Sequence, residues 1–290
     1  MIQKPQIAWG ILWAACSTLL GNAAQAIEVK VQPTKVRLGD TVSILVTPDS
    51  GETLTEAPTV KVADKTFPAF QVAPNRWRAL VPTTPLEKHG RRSLTVTGNQ
   101  QTRNMLLWVG SRRFPTQRIW LPPKKKITVK DPNYEFRQAD KFKAVVTPQK
   151  YWNGTFVRPN AGRSSTGYGV RRYYNGVFAK DYYHRGLDYA NSTGSPVKAA
   201  AAGKVSLIGR ESEGFRVHGN VVGLDHGQGV GTIYLHLSRI DVQPGQTVAS
   251  GQVIGAVGST GASTGPHLHW GLYVNGQAVD PSPWLWRGFD

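Results

Sequence analysis

The N-terminal part of the chain contains short runs in which apolar and polar residues alternate. These runs are rich in β-branched residues, are separated by prolines and glycines, and cover residues 28–31, 41–46, 59–62 and 93–97. A period of two directs every second side chain of a strand to the same face. Several short strands with turns between them are typical of a small antiparallel sandwich. The pattern therefore predicts a β-sandwich domain over residues 27–110.

The C-terminal half carries a second set of short β-branched runs between glycine-rich turns. The runs cover residues 203–208, 220–225, 231–236 and 253–257. Strands of this length and spacing favour a compact antiparallel β-sheet domain over residues 151–290. Helical periodicity is nearly absent from both halves, so the chain is predicted to be all-β.

The first 26 residues have the order of an export signal. Lys4 precedes an apolar run at residues 7–20, and Ala24-Gln-Ala26 forms a small-x-small cleavage site before Ile27. The run is shorter than the ~20 apolar residues of a bilayer span, so no integral membrane span is expected after cleavage. Cys16 follows two alanines, an order with a faint likeness to a lipoprotein-processing site, which is the minor alternative.

Residues 111–150 are rich in prolines and in lysine and arginine. Prolines at this density argue against a long helix, so the segment is predicted to be a basic linker with one short helix near residues 134–143. Two interpretations stay open, a solvated connector and a patch that concentrates the protein on an anionic polymer.

The composition is strongly basic, with 35 lysines and arginines, 18 acidic residues and a formal net charge of +17. A basic surface attracts any polyanion, whether nucleic acid or a cell wall rich in carboxylates and phosphates. No helix-turn-helix, finger spacing or RNA-binding aromatic motif is present, so nucleic acid is not the predicted partner. Cys16 is the only cysteine and lies in the predicted signal, which excludes a cysteine nucleophile or a cysteine-based zinc site from the processed chain.

Two histidines near the C-terminus stand two residues apart in an apolar run. His267 and His269 fall on one face of a strand, whereas Leu268 and Trp270 face a core on the other side. Imidazole and carboxylate groups suit Zn²⁺, and a catalytic zinc site keeps three protein ligands and a fourth position for water. The spacing therefore indicates a metal site that these histidines share with other residues.

The sequence around these histidines resembles the motifs of the M23 metallopeptidases, the lysostaphin-like or LytM-type peptidoglycan endopeptidases. The motifs are His184-x-x-x-Asp188, His236 within Tyr-x-His-Leu, and His267-x-His269 within Gly-Pro-His-Leu-His. The resemblance runs over residues 152–284.

Residues 31–42, near the start of the chain that remains after signal cleavage, resemble the first hairpin of a bacterial immunoglobulin-like domain. This resemblance implies that the N-terminal domain is an immunoglobulin-like sandwich. The role of that domain is left open.

The resemblance to the M23 family implies a role for each motif residue. His184, Asp188 and His269 match the zinc ligands, with one Zn²⁺ per chain, and His236 and His267 match two non-ligand histidines that act in catalysis. It implies a secreted enzyme that hydrolyses peptide cross-links or stem peptides of peptidoglycan with a metal-activated water, in the periplasm or the extracellular wall. A histidine takes the proton and returns it to the leaving amine. The sequence leaves open which of the two histidines does so.

Two alternatives belong to other functional classes. A catalytically inactive LytM-type domain would activate another cell-wall hydrolase, but such regulators typically lack ligands that are all present here. A purely structural metal would normally need a fourth protein ligand. Some relatives hold an upstream segment across the zinc, and Asn160 is one candidate for that part. His226 and His218, beside turn glycines, are predicted to be structural.

Overall fold

The computed structural model describes residues 27–49, 52–99, 101–120, 131 and 133–289. The predicted export signal at residues 1–26, with Cys16, and the basic stretch at 121–130 lie outside the described residues. Within the described ranges the chain is nearly all-β, with 22 strands and one α-helix, which confirms the predicted fold class. No helix in these ranges is long and apolar enough to cross a membrane.

The described N-terminal part contains nine strands in two sheets that share one core. The strands are β1 (Ile27–Gln32), β2 (Val36–Arg37), β3 (Thr41–Pro48), β4 (Thr59–Val62), β5 (Lys65–Phe67), β6 (Ala69–Ala73), β7 (Arg76–Pro82), β8 (Gly90–Gly98) and β9 (Gln101–Gly110). One sheet has the order β1-β3-β7-β6 and the other β2-β9-β8-β4-β5. Ile44 and Val81 of the first sheet pack in the same hydrophobic cluster as Val60 and Val96 of the second. Two sheets across one core form a β-sandwich.

Where the structure describes it, the segment between the sandwich and the large sheet contains one strand and the α-helix. The strand β10 (Thr116–Ile119) pairs in parallel with a strand of the C-terminal half. The helix α1 (Tyr134–Lys143) confirms the predicted short helix. It buries Glu135, Ala139 and Phe142, which recur at helical spacing on one face. A Cβ at Gly223 would lie 2.9 Å from Phe142, so this glycine makes room for the helix against the sheet.

The remaining strands form the C-terminal sheets. They are β11 (Arg163–Thr166), β12 (Arg171–Tyr174), β13 (Val177–Phe178), β14 (Leu187–Ala190), β15 (Pro196–Lys198), β16 (Gly203–Gly209), β17 (Asn220–Gly227), β18 (Val230–Ile240), β19 (Thr247–Val248), β20 (Val253–Val257), β21 (His267–Val274) and β22 (Gln277–Val279). Ten of them form one antiparallel sheet with the central order β11-β14-β21-β18-β17-β16-β19, whereas β12 and β13 join β10 in a small separate sheet. Leu268 and Trp270 are fully buried under the large sheet, as predicted.

Strand β7 connects the two halves because its two faces contact different cores. Val81 belongs to the sandwich core, whereas Leu80 belongs to the core of the large sheet. Arg78, only 1% exposed, donates a hydrogen bond of 2.7 Å from its Nη2 to Oε1 of Gln228. Nearby, the indole Nε1 of Trp284 donates to Oγ1 of Thr41 at 3.1 Å. The outer face of the sandwich is therefore packed against the large sheet.

Candidate metal centre

The centre forms where β14 and β21 lie side by side. Asp188 on β14 is directly opposite His269 on β21 in the strand register. His184 lies just before β14, and its backbone N–H donates to the carbonyl of Val170 at 2.9 Å. As expected from Gly186, the His-x-x-x-Asp motif is a loop running into a strand and not a helix.

Three side chains meet at one point. Nε2 of His184 lies 3.0 Å from Oδ1 of Asp188 and 3.0 Å from Nδ1 of His269, and the last two atoms are 2.9 Å apart. Ligands at ~2.0–2.1 Å from a tetrahedral zinc ion stand about 3.3 Å from one another, so the triangle has nearly the size that such an ion needs. Among the described residues, these three form the cluster that can hold a metal ion.

The chemistry of the donor atoms also fits a cation. Nδ1–H of His184 donates to the carbonyl of Gly167 at 2.8 Å, so Nε2 of the neutral ring carries a lone pair. That lone pair faces Nδ1 of His269 and a carboxylate oxygen, three electron-rich atoms that repel one another unless they share a positive charge. Burial opposes ionisation of Asp188, but the imidazole rings of His184 and His269 against its carboxyl group keep its pKa below the usual range. Burial lowers the pKa of His269 to about 4, so this imidazole is neutral at physiological pH, as metal binding requires.

Two further histidines lie beside this cluster. The ring centroids of His236 and His267 are 4.8 Å apart, and Nε2 of His267 lies 4.0 Å from Oδ1 of Asp188. Nδ1–H of His236 donates to the carbonyl of Thr260, and Nδ1–H of His267 to that of Gly265, both at 2.8 Å. Each ring therefore keeps an Nε2 lone pair. Burial, with smaller effects of His269 and His267, lowers the pKa of His236 to about 3, so this ring is neutral at physiological pH.

His236 has an unusual backbone conformation, with φ of +64°. It lies at a β-bulge where Val221 of β17 opposes both Leu235 and His236, because the register moves from Val222–Tyr234 to Asn220–Leu237. At this point β18 also changes its other neighbour from β21 to β20. A left-handed non-glycine residue costs about 1–3 kcal/mol and is frequent at functional sites. The bulge turns the ring toward the cluster in place of the ordinary alternation of a strand.

The structure thus brings together all five residues that the motifs predicted, and it separates the other candidates. Asn160 does not belong to the centre, because its Oδ1 accepts from Gly162 and Asn191 and its Nδ2 donates to Pro196. The carbonyls that fix the rings were missed, since a backbone carbonyl carries no residue signature. For the carbonyls of Thr260 and Gly265, the only signal was the run of small residues at 259–266, which precedes His267.

His226 is structural, as predicted, and has a measurable effect on acid stability. It is fully buried, with Nδ1–H donating to the carbonyl of Ala202 and Nε2 accepting from Oγ1 of Thr232.

Burial lowers the pKa of His226 to about 4. Below its ordinary pKa of ~6.5 the unfolded chain binds a proton that the folded chain does not, so stability falls as the pH falls toward 4. We expect the free energy of unfolding to fall by about 2 kcal/mol less in His226→Gln than in the wild type when the pH is lowered from 7 to 5. Urea unfolding at the two pH values measures this, and equal pH dependence in both proteins would contradict it.

Gly186 is required by the close approach of the two ligand strands. A Cβ at this position would lie 2.3 Å from the carbonyl oxygen of Trp270 and 2.9 Å from Cε1 of His269. We expect Gly186→Ala to lower stability by about 1–3 kcal/mol and to weaken metal binding, because β21 must move away. Thermal unfolding and metal titration measure both effects. Gly167→Ala is the matched control, since a Cβ there meets nothing within 4 Å; similar values for the two variants would refute the steric argument.

Comparison with known proteins agrees with this geometry. The model of "Peptidase family M23" matches residues 182–281, which include all five site residues. A crystal structure of a peptidase M23 candidate from Pseudomonas aeruginosa is 30% identical, covers 87% of this chain and 95% of that chain, and has a TM-score of 0.65. The β-sheet and its His–Asp–His cluster define a metallopeptidase. Since the similarity extends over nearly the whole of that chain, the protein belongs to peptidase family M23.

Curated relatives match the same region. "DD-carboxypeptidase/endopeptidase Mpg" of Neisseria meningitidis serogroup B is 48% identical over 98 residues, which are 34% of this chain and 22% of that protein. "Peptidoglycan DD-endopeptidase ShyA" of Vibrio cholerae is 43% identical over 97 residues, 33% of this chain and 22% of that protein. The match thus spans about a fifth of the length of these two relatives. The resemblance found in the motifs is confirmed at the level of the family.

Proposed function

We propose that the protein is an exported zinc metalloendopeptidase that hydrolyses amide bonds in the peptide part of peptidoglycan. The observation that carries the proposal is the triangle of His184, Asp188 and His269 with the rings of His236 and His267 beside it. The substrate class is supported by the names of the relatives, a peptidoglycan DD-endopeptidase and a DD-carboxypeptidase/endopeptidase.

In this proposal His184, Asp188 and His269 hold one Zn²⁺ per chain. Two imidazole nitrogens and one carboxylate are a donor set that zinc accepts, and the carbonyl of Gly167 orients the His184 ring from behind. When bound, Zn²⁺ supplies Lewis-acid polarisation of the scissile carbonyl and acidifies water to a pKa of ~7.

His236 and His267 are the proposed groups for transfer of a proton from the attacking water to the leaving amine. Each ring is held by a hydrogen bond from Nδ1–H to a backbone carbonyl, so its Nε2 lone pair can accept a proton from the attacking water. The protonated ring then gives the proton to the leaving amine. Before it does so, the protonated ring can donate a hydrogen bond to the oxyanion of the tetrahedral intermediate.

We also propose the arrangement of the whole chain. Residues 1–26 are a signal peptide, 27–110 an immunoglobulin-like accessory sandwich, 111–150 a basic connecting segment and 151–290 the peptidase domain. The strongly basic composition would concentrate the exported protein on an anionic wall in the periplasm or the extracellular envelope. Peptidoglycan is therefore the proposed partner, and nucleic acid is not.

The test is release of soluble peptides from purified peptidoglycan by the protein alone. Walls with direct D-alanyl cross-links and walls with glycine bridges should be compared, with and without a zinc chelator. We expect release from at least one wall type, abolished by the chelator and restored by added zinc. Release only when a second wall hydrolase is present would favour the alternative, an inactive LytM-type activator.

A further inference from the structure

Glu135, in the first turn of α1, is a buried carboxylate outside the metal centre. It is 3% exposed, and its oxygens accept hydrogen bonds from the backbone N–H of Val217 and of His218 at 3.0 Å and from Nδ1–H of His218 at 2.7 Å. A buried carboxylate is costly unless it is hydrogen-bonded. Burial acts to raise the pKa of Glu135, but these hydrogen bonds outweigh it and lower the pKa, so the group is a charged anchor. It ties α1 to the turn at residues 214–219.

The neighbours of Glu135 contact the same turn. The ring of Tyr134 packs edge-on against Phe215, with centroids 5.8 Å apart, and Phe136 packs edge-on against His218 at 5.5 Å. Three successive residues of α1 thus hold one turn.

The turn at residues 214–219 is itself hydrogen-bonded to His236. The carbonyl of His218 accepts the backbone N–H of His236 at 3.1 Å, which is the bond made at the β-bulge. The carbonyl of Val217 accepts the N–H of Ala262 at 3.0 Å, and the neighbouring Thr260 carbonyl accepts Nδ1–H of His236 at 2.8 Å. Both N–H groups of His236 are therefore bonded to two segments that lie against each other.

These two segments touch through their backbones. A Cβ at Gly219 would lie 2.5 Å from the carbonyl carbon of Thr260, and a Cβ at Gly261 would lie 2.4 Å from the backbone nitrogen of Gly219. Contact this close leaves no side chain between the segments to absorb a shift. A displacement of the turn at 214–219 must therefore move Thr260, and with it the ring of His236.

We propose that Glu135 is a positioning residue that fixes His236 at the metal centre through the turn at 214–219. The proposal rests on the catalytic role proposed for His236. It assigns part of the catalytic geometry to the segment that precedes the peptidase sheet, because the anchor belongs to α1 and not to the motifs. The strained φ of His236 is kept by bonds that begin at this carboxylate.

The experiment compares the full chain with its Glu135→Gln variant, which has nearly the same shape but no charge. We expect amide hydrogen exchange at Val217, His218 and His236 to become about 10-fold faster, because charged hydrogen bonds are replaced by weaker ones. On peptidoglycan, kcat should fall about 10- to 100-fold, while KM and zinc content stay within about twofold. Asp140→Asn is the matched control, since Asp140 lies exposed on the same helix and its carboxylate pairs with the neighbouring Lys143.

The outcomes separate this proposal from the proposed function. An inactive wild type would contradict the proposed function. The positioning role of Glu135 would then be tested only by comparing the exchange rate of the His236 amide in the wild type and in Glu135→Gln. Unchanged exchange at His236 together with unchanged kcat in Glu135→Gln would overturn the positioning role. If Glu135→Gln lowers the unfolding temperature more than Asp140→Asn does, the milder His218→Gln variant is used. It removes the ring's bond to Glu135 and the ring's edge contacts with Phe136 and Phe215 but keeps the carboxylate and its bonds to the backbone of the turn. A lower kcat at wild-type zinc content supports the proposal, whereas a wild-type kcat overturns it.

Discussion

His269→Ala is expected to remove zinc and turnover together. His269 supplies Nδ1 to the triangle and lies opposite Asp188 across the two strands, so its loss leaves two ligands that are both buried. Even a change behind a ligand lowers metal affinity 10- to 100-fold, and we expect the loss of the ligand itself to exceed about 100-fold. Metal analysis after gel filtration, with peptide release from peptidoglycan, measures both effects.

The exposed His89 of the sandwich gives the matched control, because His89→Ala removes an imidazole without touching the centre. This variant should keep about one zinc per chain and wild-type turnover. A His269→Ala protein that retains stoichiometric zinc would show that the ion is held elsewhere, and the triangle would lose its assigned role.

His236→Asn is expected to abolish turnover and to leave zinc in place. The ring of His236 is not part of the triangle, and its Nδ1–H is already committed to the Thr260 carbonyl. Loss of a general acid–base group lowers kcat about 10²- to 10⁴-fold. Asparagine is the substitution of choice because it tolerates the left-handed backbone that this position requires, so the bulge is retained.

Metal content and single-turnover rates on a defined peptidoglycan fragment distinguish the two histidine variants. Turnover close to that of the wild type in His236→Asn would exclude this ring from proton transfer and leave His267 as the base. Loss of zinc from His236→Asn would instead place the residue among the ligands.

Some strands were predictable because apolar and polar residues alternate along them in the sequence. The runs predicted at 41–46 and 59–62 fall in β3 and β4, and β20 has the predicted bounds. Strand β7 gave no such pattern, since Arg78 to Pro82 are buried on both faces. Strand β9 exposes Leu106 and Trp108 on its outer face, so apolar residues stand on both sides and the period of two is lost.

The same distinction applies to the centre. The side of β21 that carries His267 and His269 was readable from a two-residue spacing, and the remaining residues from motifs. The conformation of His236 was not readable, because its bulge depends on the register between β17 and β18. Glu135 was missed for a related reason: its partners lie 82 and 83 positions away, and no local pattern records such a contact.

Strand β7, which packs in both hydrophobic cores, couples the unfolding of the sandwich to that of the large sheet that carries the metal centre. Because Leu80 and Val81 are consecutive residues in different hydrophobic clusters, β7 cannot leave the sandwich without opening the base of the large sheet. Opening of either half therefore involves the other, and the two halves behave as one cooperative unit. A protein built in this way resists partial opening, because loss of β7 from either half would expose the cores of both halves to water.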